Sequence, residues 1–379
     1  MVELRRRRFE LPVGGTDTAI DDLIDLAACG VSLAAREMCC RVAIDSGSFA
    51  RAAANLQRLA GLRLSDEKLR QIVESEGRAV LAWQDQAQLE LDFDAGAWRT
   101  DATADGQSVA RAYVGIDGFM LPMVSDGEMG RRYAKARERR KTLKRRRGAR
   151  RAPLRRRRGA DQRYKELKLV TIYDQAKAHR LVRATRHGVD RAGRMLRQMG
   201  GDVHLRHAGQ IAAVTDGAEW IARLIDANLP DNTTAILDYY HASQHVHQCR
   251  RVVFGEQDAA GQEWIEKLLE QMLNQPFDQL WQTLVETRCR FKSPAKRKAL
   301  DELMHYLAQR REKVDYARFK AAGLDIGSGP TESTCKSLSR RMKGIGMRWT
   351  PSNAEAMTAL EALHQSNLWS TYWSTRLAA

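Results

Sequence analysis

The sequence predicts an α/β fold with three parts: a small helical domain, a domain built on a mixed sheet flanked by helices, and an all-α insertion within that second domain. Three observations predict it. The first 84 residues show only segmented helical patterns. Runs with strand character then alternate with amphipathic helices as far as residue 240. Between residues 241 and 326 no strand pattern appears, and amphipathic helices follow one another.

The composition indicates a polyanionic partner. Lysine and arginine outnumber aspartate and glutamate by 63 to 47, which gives a formal charge of +16 and a pI near 9.8. No apolar run reaches the roughly 18 residues that a membrane span needs, and the basic N-terminus lacks the apolar core of a signal peptide. Six cysteines show neither a CxxC pair nor a disulfide-like spacing. We therefore expect a soluble cytoplasmic protein with free thiols and no membrane partner.

The N-terminal region, residues 1–84, combines a basic arm with three short helices. The run of arginines in the arm could contact phosphate groups or belong to a solvated terminus. Three serines precede helical patterns, as N-capping residues do: Ser32, Ser48 and Ser65. The pattern is compatible with a helix-turn-helix module whose last helix reads a major groove of DNA, although a small helical bundle would look the same. A polar linker, residues 85–110, follows.

From residue 111 to residue 240 strands and helices alternate. Strand patterns lie near residues 113–116, 164–173, 181–185, 211–215 and 233–237, and helical patterns lie at 191–199 and from 219 onward. Three strands, a helix, a strand, a helix and a further strand is the layout of an RNase H-like α/β domain. We therefore predict that residues 111–240 form the first part of such a domain.

A strongly basic insert, residues 131–160, interrupts this domain after its first strand. Seventeen of the 28 residues from 131 to 158 are lysine or arginine, and one is acidic. A charge run is usually a solvated face, but this density exceeds what solubility requires and favours a contact with nucleic acid. The arginines that we single out here as DNA contacts are Arg145, Arg146, Arg147, Arg155 and Arg156.

Three amphipathic helices predict the all-α insertion, residues 241–326. Their segments read EWIEKLLEQMLN, FDQLWQTLVETRCRF and PAKRKALDELMHYLAQRRE. They separate the last strand from a helix that opens near Glu332, where Pro330 suits a first helical turn. Residues 327–379 therefore complete the sheet domain and carry the Glu332 helix.

Three carboxylates occupy positions typical of a two-metal phosphoryl-transfer site. Asp117 follows a strand pattern in YVGIDG, Asp216 follows another in AAVTDG, and Glu332 lies on the late helix. Carboxylate oxygens are what Mg²⁺ prefers, and two such cations about 4 Å apart stabilise the attacking and leaving oxygens of a phosphodiester. Cations follow Glu332, either as a helix-surface charge row or as phosphate contacts. We predict DNA contacts at Lys336, Arg340, Arg341, Lys343 and Arg348.

These motifs resemble those of a known family, the DDE transposases of bacterial insertion sequences, and most closely the ISKra type, which is related to the Mutator-like transposases. The resemblance covers roughly residues 110–370 and is carried by YVGIDG, VTDGAEWI, LDYYHASQHV and, most specifically, GPTESTCKSLSRRMKGIGMRW. It implies an RNase H-like fold in which Asp117, Asp216 and Glu332 bind two Mg²⁺ or Mn²⁺ ions. It also implies binding to the element's terminal inverted repeats and DNA mobility.

The identity of the middle carboxylate stays open. Asp238 also follows a strand pattern and could take the place of Asp216. The spacing from Asp238 to His241 also resembles the motif that follows the second catalytic aspartate in Mutator-like enzymes, so both residues are candidates for a supporting role. His241, His245 and His247 could suggest a zinc site, but no thiolate is spaced to complete it.

The expected function is that of a DNA transposase that cleaves and transfers strands of double-stranded DNA, both at the element's ends and at the target. We expect a homodimer or higher oligomer on DNA, a location at the bacterial nucleoid, and no small-molecule substrate. Two other functions are compatible with the sequence. An RNase H-like nuclease or resolvase would share the acids but cut without joining, and a transposition repressor would bind DNA without cutting it.

Overall fold

The computed structural model of this chain describes residues 9–10, 16–17, 30–86, 89, 91, 93–100, 108–147, 164–344 and 347–378. The chain divides into two compact units. The helical unit combines residues 1–87, 120–167 and 336–379, and the sheet unit combines residues 88–119 and 168–335. Each unit is therefore assembled from segments that are far apart in the sequence.

Strands and helices are numbered along the chain within the described residues. The strands are β1 (Phe9–Glu10), β2 (Thr16–Asp17), β3 (Arg111–Leu121), β4 (Lys165–Asp174), β5 (Arg180–Thr185), β6 (Gln210–Thr215) and β7 (Thr234–Leu237). The helices are α1 (Leu33–Asp45), α2 (Phe49–Ala60), α3 (Asp66–Asp85), α4 (Asp126–Arg147), α5 (Val189–Asp202), α6 (Glu219–Asn228), α7 (Tyr239–Val253), α8 (Ala259–Asn274), α9 (Phe277–Arg290), α10 (Pro294–Ala308), α11 (Tyr316–Ala321), α12 (Gly329–Arg340), α13 (Pro351–Gln365) and α14 (Trp369–Ala378). The two-residue strands β1 and β2 form an antiparallel pair of their own.

A five-stranded mixed sheet with the order β5-β4-β3-β6-β7 forms the centre of the sheet unit. β3, β6 and β7 run parallel, whereas β4 and β5 pair antiparallel. The strands are largely buried, which explains why β6 reads as a continuous apolar run rather than as an alternation. Helices α5 and α6 pack against each other, and α5 also contacts β5. The predicted α/β architecture, a mixed sheet flanked by helices, is confirmed.

The predicted all-α insertion does not form a core of its own. Helices α7 to α11 share one hydrophobic core with the strands. That core contains Val214 and Ile236 from the strands and Leu268, Leu284 and Leu300 from the helices. The insertion therefore belongs to the same compact unit as the sheet, and its helices bury apolar surface of β6 and β7.

In the helical unit α13 packs along α3. Gly77 of α3 makes the close approach possible, because a Cβ at this position would lie 2.4 Å from the backbone oxygen of Ala356. Every residue of α13 from Ala354 to Leu363 is buried. A buried ion pair lies in the same unit, where Glu76 of α3 contacts Arg36 of α1 at 2.8 Å. Helices α1 and α3 from the N-terminal region and α13 from the C-terminal region thus share one core.

The observed division of the chain differs from the predicted one. We predicted a separate helical region at residues 1–84 and assigned residues 327–379 to the sheet domain, but residues 336–379 lie in the helical unit. The apolar face of α3 must be covered, and α13 covers it. The predicted linker, residues 85–110, is also partly structured, because Ala95–Ala97 form a 3-10 turn in the sheet unit.

Three further predictions concern the helical unit and the membrane. The described part of the basic insert, residues 131–147, belongs to α4, and residues 148–163 lie outside the described residues. The helix-turn-helix function of the N-terminal helices stays a prediction. Within the described part of the chain, no helix has both the length and the apolar composition needed to cross a lipid bilayer.

Candidate active site

A pocket opens in the sheet unit beside the C-terminal ends of β6 and β7. Its titratable lining residues are Asp117, Asp216, Asp238, Glu332 and His241. Its remaining lining residues are Ile116, Thr215, Gln244, Ser328 and Thr331. The cavity has a volume of about 220 Å³, which is below the range of roughly 300 to 1,000 Å³ typical of small-molecule sites. The pocket therefore suits ions and a phosphate group better than a larger organic ligand.

Strand register places the three aspartates side by side. β3 pairs with β6 from Arg111 opposite Gln210 to Val114 opposite Ala213, and continuing that pairing by three residues brings Asp117 level with Asp216. β6 pairs with β7 up to Thr215 opposite Leu237, and one further residue brings Asp216 level with Asp238. Neighbouring strands lie about 4.8 Å apart, and residues opposite one another point to the same face of the sheet. Parallel pairing thus concentrates negative charge at one edge.

Asp117 is half-buried, and both of its carboxylate oxygens accept hydrogen bonds. The backbone N–H of Gly118 donates to Oδ1 at 2.6 Å, and the Cys335 thiol donates to Oδ2 at 3.2 Å. Burial raises the pKa of the Asp117 carboxyl above its ordinary value, and the negative charges of Asp216 and Glu332 raise it further, while the two hydrogen bonds oppose the rise. The carboxylates are therefore close enough to repel one another.

Glu332 reaches the pocket because α12 packs tightly on β3. A Cβ at Gly115, two residues before Asp117, would lie 1.9 Å from Oγ1 of Thr331. Only a glycine allows that approach, which brings the first turn of α12 against the strand that carries Asp117. Glu332 itself is exposed at the pocket, next to the buried Thr331.

Asp238 differs from Asp216 in its hydrogen bonds. Asp238 is only 2% exposed and caps α7, with Oδ1 accepting the backbone N–H of His241 at 2.7 Å. Its Oδ2 accepts the backbone N–H of Ser328 in the loop that leads to α12. Asp216 accepts one bond, from the N–H of Ala218 at 2.9 Å, and among the described residues its other oxygen has no hydrogen-bond donor. Asp216 is thus the aspartate with an oxygen left for a cation.

His241 lines the pocket, but the three histidines of α7 do not form a zinc cluster. The rings of His241 and His245 are 5.5 Å apart, and His245 stacks on Tyr306 at 3.9 Å. Burial lowers the pKa of His245 and of His247. Among the described residues, one group of three metal-ligating side chains has its ligand atoms within 4.8 Å of one another, and it contains none of these histidines.

The predicted DNA-contacting cations fall into three groups: exposed side chains, side chains outside the described residues, and the buried Arg341. Lys336, Arg340, Lys343 and Arg348 are exposed in the helical unit. The side chains of Arg145, Arg146 and Arg147 at the end of α4, and the whole of Arg155 and Arg156, lie outside the described residues.

Of the predicted DNA contacts whose side chains the structure describes, Arg341 is the one that is buried. The side chain is buried, its Nε donates to the carbonyl of Ala43 at 2.9 Å, and its guanidinium packs over the rings of Phe49 and Trp349. Burial lowers the pKa of Arg341 to about 10. Arg341 therefore joins elements of the helical unit and is not presented to a phosphate backbone. Its place within a cationic run concealed this role, because charge alone does not reveal burial.

The donor set fits hard divalent cations. Four carboxylates line the pocket, and no lysine or arginine is among the described residues that line it. The oxygens of Asp117, Asp216 and Glu332 do not all lie within 4.8 Å of one another. Two cations about 4 Å apart do not require that, because each ion contacts only some of the ligands. A pair of Mg²⁺ or Mn²⁺ ions would offset the repulsion that raises the pKa of Asp117.

Cys335 is one of the site residues that the sequence analysis missed. It follows Glu332 by three positions on α12, so the two side chains share a helix face, and its thiol reaches Asp117 across the pocket wall. The spacing of three residues between Glu332 and Cys335 could have indicated from the sequence that the two side chains share a helix face. The contact between Cys335 and Asp117 could not be predicted in this way, because it joins residues more than 200 positions apart.

Comparisons with known proteins identify a similar solved structure but no sequence family. No protein-family model matches this chain, and a comparison with curated proteins finds no match. Among solved structures, the chain is similar to one described as the Drosophila P element transposase strand transfer complex, at 11% sequence identity and a TM-score of 0.38. The overlap covers 88% of this chain and 92% of that chain. A TM-score of this size does not establish a shared fold.

Proposed function

We propose that this chain is a DDE-type DNA transposase, which cleaves and joins DNA strands at the ends of an insertion sequence with the help of two Mg²⁺ or Mn²⁺ ions. One observation carries the proposal. Asp117, Asp216 and Glu332, which are far apart in the sequence, line one pocket in the sheet unit. Clusters of like charge are costly to maintain, so their presence in a cleft favours a cation-dependent function.

Sheet topology supports the finer assignment to an RNase H-like fold. The first long strand, β3, is central, with β4 and β5 on one side and β6 and β7 on the other. That is the arrangement expected of the RNase H-like layout, with carboxylates on the first strand, after the fourth strand and on a late helix. The motif resemblance to ISKra-type transposases points to the same assignment.

Each residue of the pocket has a role in the proposed reaction. Asp117, Asp216 and Glu332 would hold the cations. Bound there, the cations would lower the pKa of the attacking water or hydroxyl and stabilise charge on the phosphodiester. Asp238 positions the others: its backbone N–H donates to the carbonyl of Thr215, and its carboxylate accepts from Ser328. His241, in the first turn of α7, faces the same pocket and is available to contact a phosphate oxygen.

Double-stranded DNA is the proposed partner, bound at the element's terminal inverted repeats and at the target. The net charge of +16 favours a polyanion. Cations with exposed side chains, as a contact with phosphates requires, lie on α12, in the segment that follows it and on the described part of α4. A homodimer or higher oligomer on DNA, and a location at the nucleoid, form part of the same proposal.

Variants of the three acids test the proposal on the purified full-length chain. The substrate is the DNA that flanks the coding sequence, incubated with a target plasmid and Mg²⁺. Asp117→Asn, Asp216→Asn and Glu332→Gln should each reduce cleavage by about 10²- to 10³-fold, the loss expected when a group that stabilises transition-state charge is removed. DNA binding, measured separately, should persist. The matched control is Glu219→Gln, an exposed carboxylate three residues after Asp216.

The outcomes separate the three functions. Cleavage at the element's ends followed by joining to the plasmid supports the transposase. Cleavage without joining supports an RNase H-like nuclease or resolvase, and binding without any cleavage supports a repressor. Cleavage that survives all three acid substitutions would overturn the proposed active site.

A further inference from the structure

A second cluster of metal-ligating groups lies in the sheet unit, outside the carboxylate pocket. Asp94, His204 and His207 each bring one ligand atom within 4.8 Å of the other two. No other group of three in the described part of the chain meets that distance. The Nδ1 atom of His207 is 3.0 Å from Oδ2 of Asp94, and the two imidazole rings stack at 5.1 Å and 7°.

The chain positions each member of this cluster by local structure. Asp94 caps the 3-10 turn Ala95–Ala97, with Oδ1 accepting the N–H of Gly96 at 2.6 Å, and this bond leaves Oδ2 directed at His207. His204 has φ 48° and ψ 48°, a left-handed conformation that an L-residue adopts only at a cost. The left-handed residue turns the chain into the 3-10 turn Leu205–His207.

Glycine at position 96 lets the two turns meet. A Cβ added to Gly96 would lie 2.9 Å from Cβ of His207, which is closer than real Cβ contacts. Two short turns from distant parts of the sequence are thus packed so that both histidines and the aspartate face one point. The close approach of the turns accounts for a geometry that sequence spacing alone does not suggest.

The donor set determines the class of cation. Two imidazoles and one carboxylate suit Zn²⁺ and related transition metals, whereas Mg²⁺ prefers oxygen ligands alone. Ligand atoms around one zinc ion lie roughly 3 to 4 Å apart, because the metal–ligand bonds are about 2 Å long, and the distance from His207 to Asp94 matches that spacing. The side chain of His207 is 61% exposed, so a bound ion would keep a coordination position for water.

We propose that Asp94, His204 and His207 bind one transition-metal cation of the Zn²⁺ class. The ion would join the segment before β3 to the loop before β6. Backbone hydrogen bonds already connect these regions: the N–H of Ala95 donates to the carbonyl of Val203, and that of Gln210 donates to the carbonyl of Ala110. A bound ion would therefore connect the segments that precede β3 and β6, two neighbouring parallel strands. These segments lie at the N-terminal ends of the strands, whereas the carboxylate pocket lies at the C-terminal ends. The ion would thereby stabilise the sheet unit.

Metal titration of the full-length, untagged chain tests this site. The chain is treated with a chelator, and Zn²⁺ binding is measured by calorimetry, with Co²⁺ absorption as a spectroscopic probe of coordination. All titrations use the Asp216→Asn background, which removes one proposed cation ligand from the carboxylate pocket. We expect one equivalent of Zn²⁺ per chain and a higher unfolding temperature with Zn²⁺ than without it.

Ligand variants decide the outcome. His204→Ala, His207→Ala and Asp94→Asn should each weaken Zn²⁺ binding by about tenfold or more and abolish the thermal shift. The control is His305→Ala, which replaces an exposed histidine on α10. Asp94→Asn can still cap the turn through its side-chain oxygen, so it carries the test if a histidine variant fails to fold. Absence of binding, or equal affinity in all variants, would overturn the proposal and leave the proposed DNA chemistry untouched.

Discussion

At the scale of single residues, hydrogen bonds distinguish two aspartates that the sequence left as alternatives. Both follow strands, and their side chains line the same pocket. Asp238 is buried and uses both carboxylate oxygens, one to cap α7 and one to hold the loop before α12. Asp216 is only partly buried and accepts one bond, from Ala218. Asp238 therefore has a structural role, and we propose Asp216 as the cation ligand.

Stability measurements should separate these roles in the absence of divalent cations. Asp238→Ala removes a helix cap and leaves the buried N–H of Ser328 without an acceptor, so it should lower the free energy of unfolding by about 2 to 4 kcal/mol. Asp216→Asn keeps an oxygen for Ala218 and removes a charge beside Asp117, so stability should stay the same or rise. Urea unfolding checks both variants, with the exposed Asp226→Asn as control. The assignment would be reversed if Asp216→Asn were the destabilising change.

At the scale of elements, the contact between β3 and α12 determines where Glu332 lies. The strand presents no side chain at Gly115, and Thr331 of α12 occupies that space. This contact brings two of the proposed cation ligands into the same pocket. Asp117 follows Gly115 by two residues, and Glu332 follows Thr331 directly. Local sequence specifies that β3 is a strand and that α12 is a helix. The distance between the two elements depends on tertiary packing.

Gly115→Ala should push α12 away from β3. Its methyl group would overlap Thr331, and overpacking of this kind costs about 1 to 3 kcal/mol. Cleavage should fall together with stability, because Glu332 moves away from Asp117. Thermal unfolding and cleavage assays measure the two effects. The matched control is Gly329→Ala on the same helix, where a Cβ meets nothing within 4 Å. Equal behaviour of the two variants would contradict the close-approach argument.

A capping box begins α4, the helix that carries the described part of the basic insert. The backbone N–H of Ser125 donates to the Glu128 carboxylate at 2.6 Å, and the Lys165 ammonium donates to the same oxygen at 2.9 Å. The hydrogen bond with Lys165, followed by that with the Ser125 backbone, lowers the pKa of Glu128 to about 2. The helix start is thus joined electrostatically to β4.

The depressed pKa of Glu128 gives a pH-dependent contribution to stability. The unfolded carboxyl, with an ordinary pKa of 4.5, binds a proton before the folded one does, so the contribution is complete above that value and is lost as the pH falls towards 2. Glu128→Gln should therefore cost about 1 to 2 kcal/mol at pH 6 and progressively less between pH 4.5 and 2. Denaturant unfolding at several pH values measures the difference. Glu138→Gln, on the exposed middle of α4, should show no such trend.

At the scale of the whole molecule, the N-terminal helices depend on the C-terminus of the chain. α13 lies along α3 and is buried from Ala354 to Leu363. The predicted DNA-binding region, residues 1–84, therefore lacks part of its core when taken alone. Charge and capping signals cannot reveal this dependence, because they describe each helix separately.

Removal of residues 351–379 should unfold α1 to α3 and leave the sheet unit protected. The apolar face of α3 would then contact water, and three short helices cannot replace the buried area. Amide hydrogen exchange should show lost protection in residues 33–85 and retained protection in β6 and β7. The intact chain is the reference. Retained protection in residues 33–85 would show that the N-terminal helices fold on their own.

The sequence by itself determined most elements of this protein: the five strands of the sheet, helices α5, α6 and α8 to α10, and the aspartates on or directly after β3, β6 and β7. Periodicity, capping residues and glycines specify local structure, because they act within a few positions along the chain. The tertiary structure alone decided that Asp238 is a cap, that Arg341 is buried, that Cys335 contacts Asp117 and that Asp94 meets two histidines. These features depend on strand register and on close packing between distant segments, and neither has a signal within one stretch of sequence.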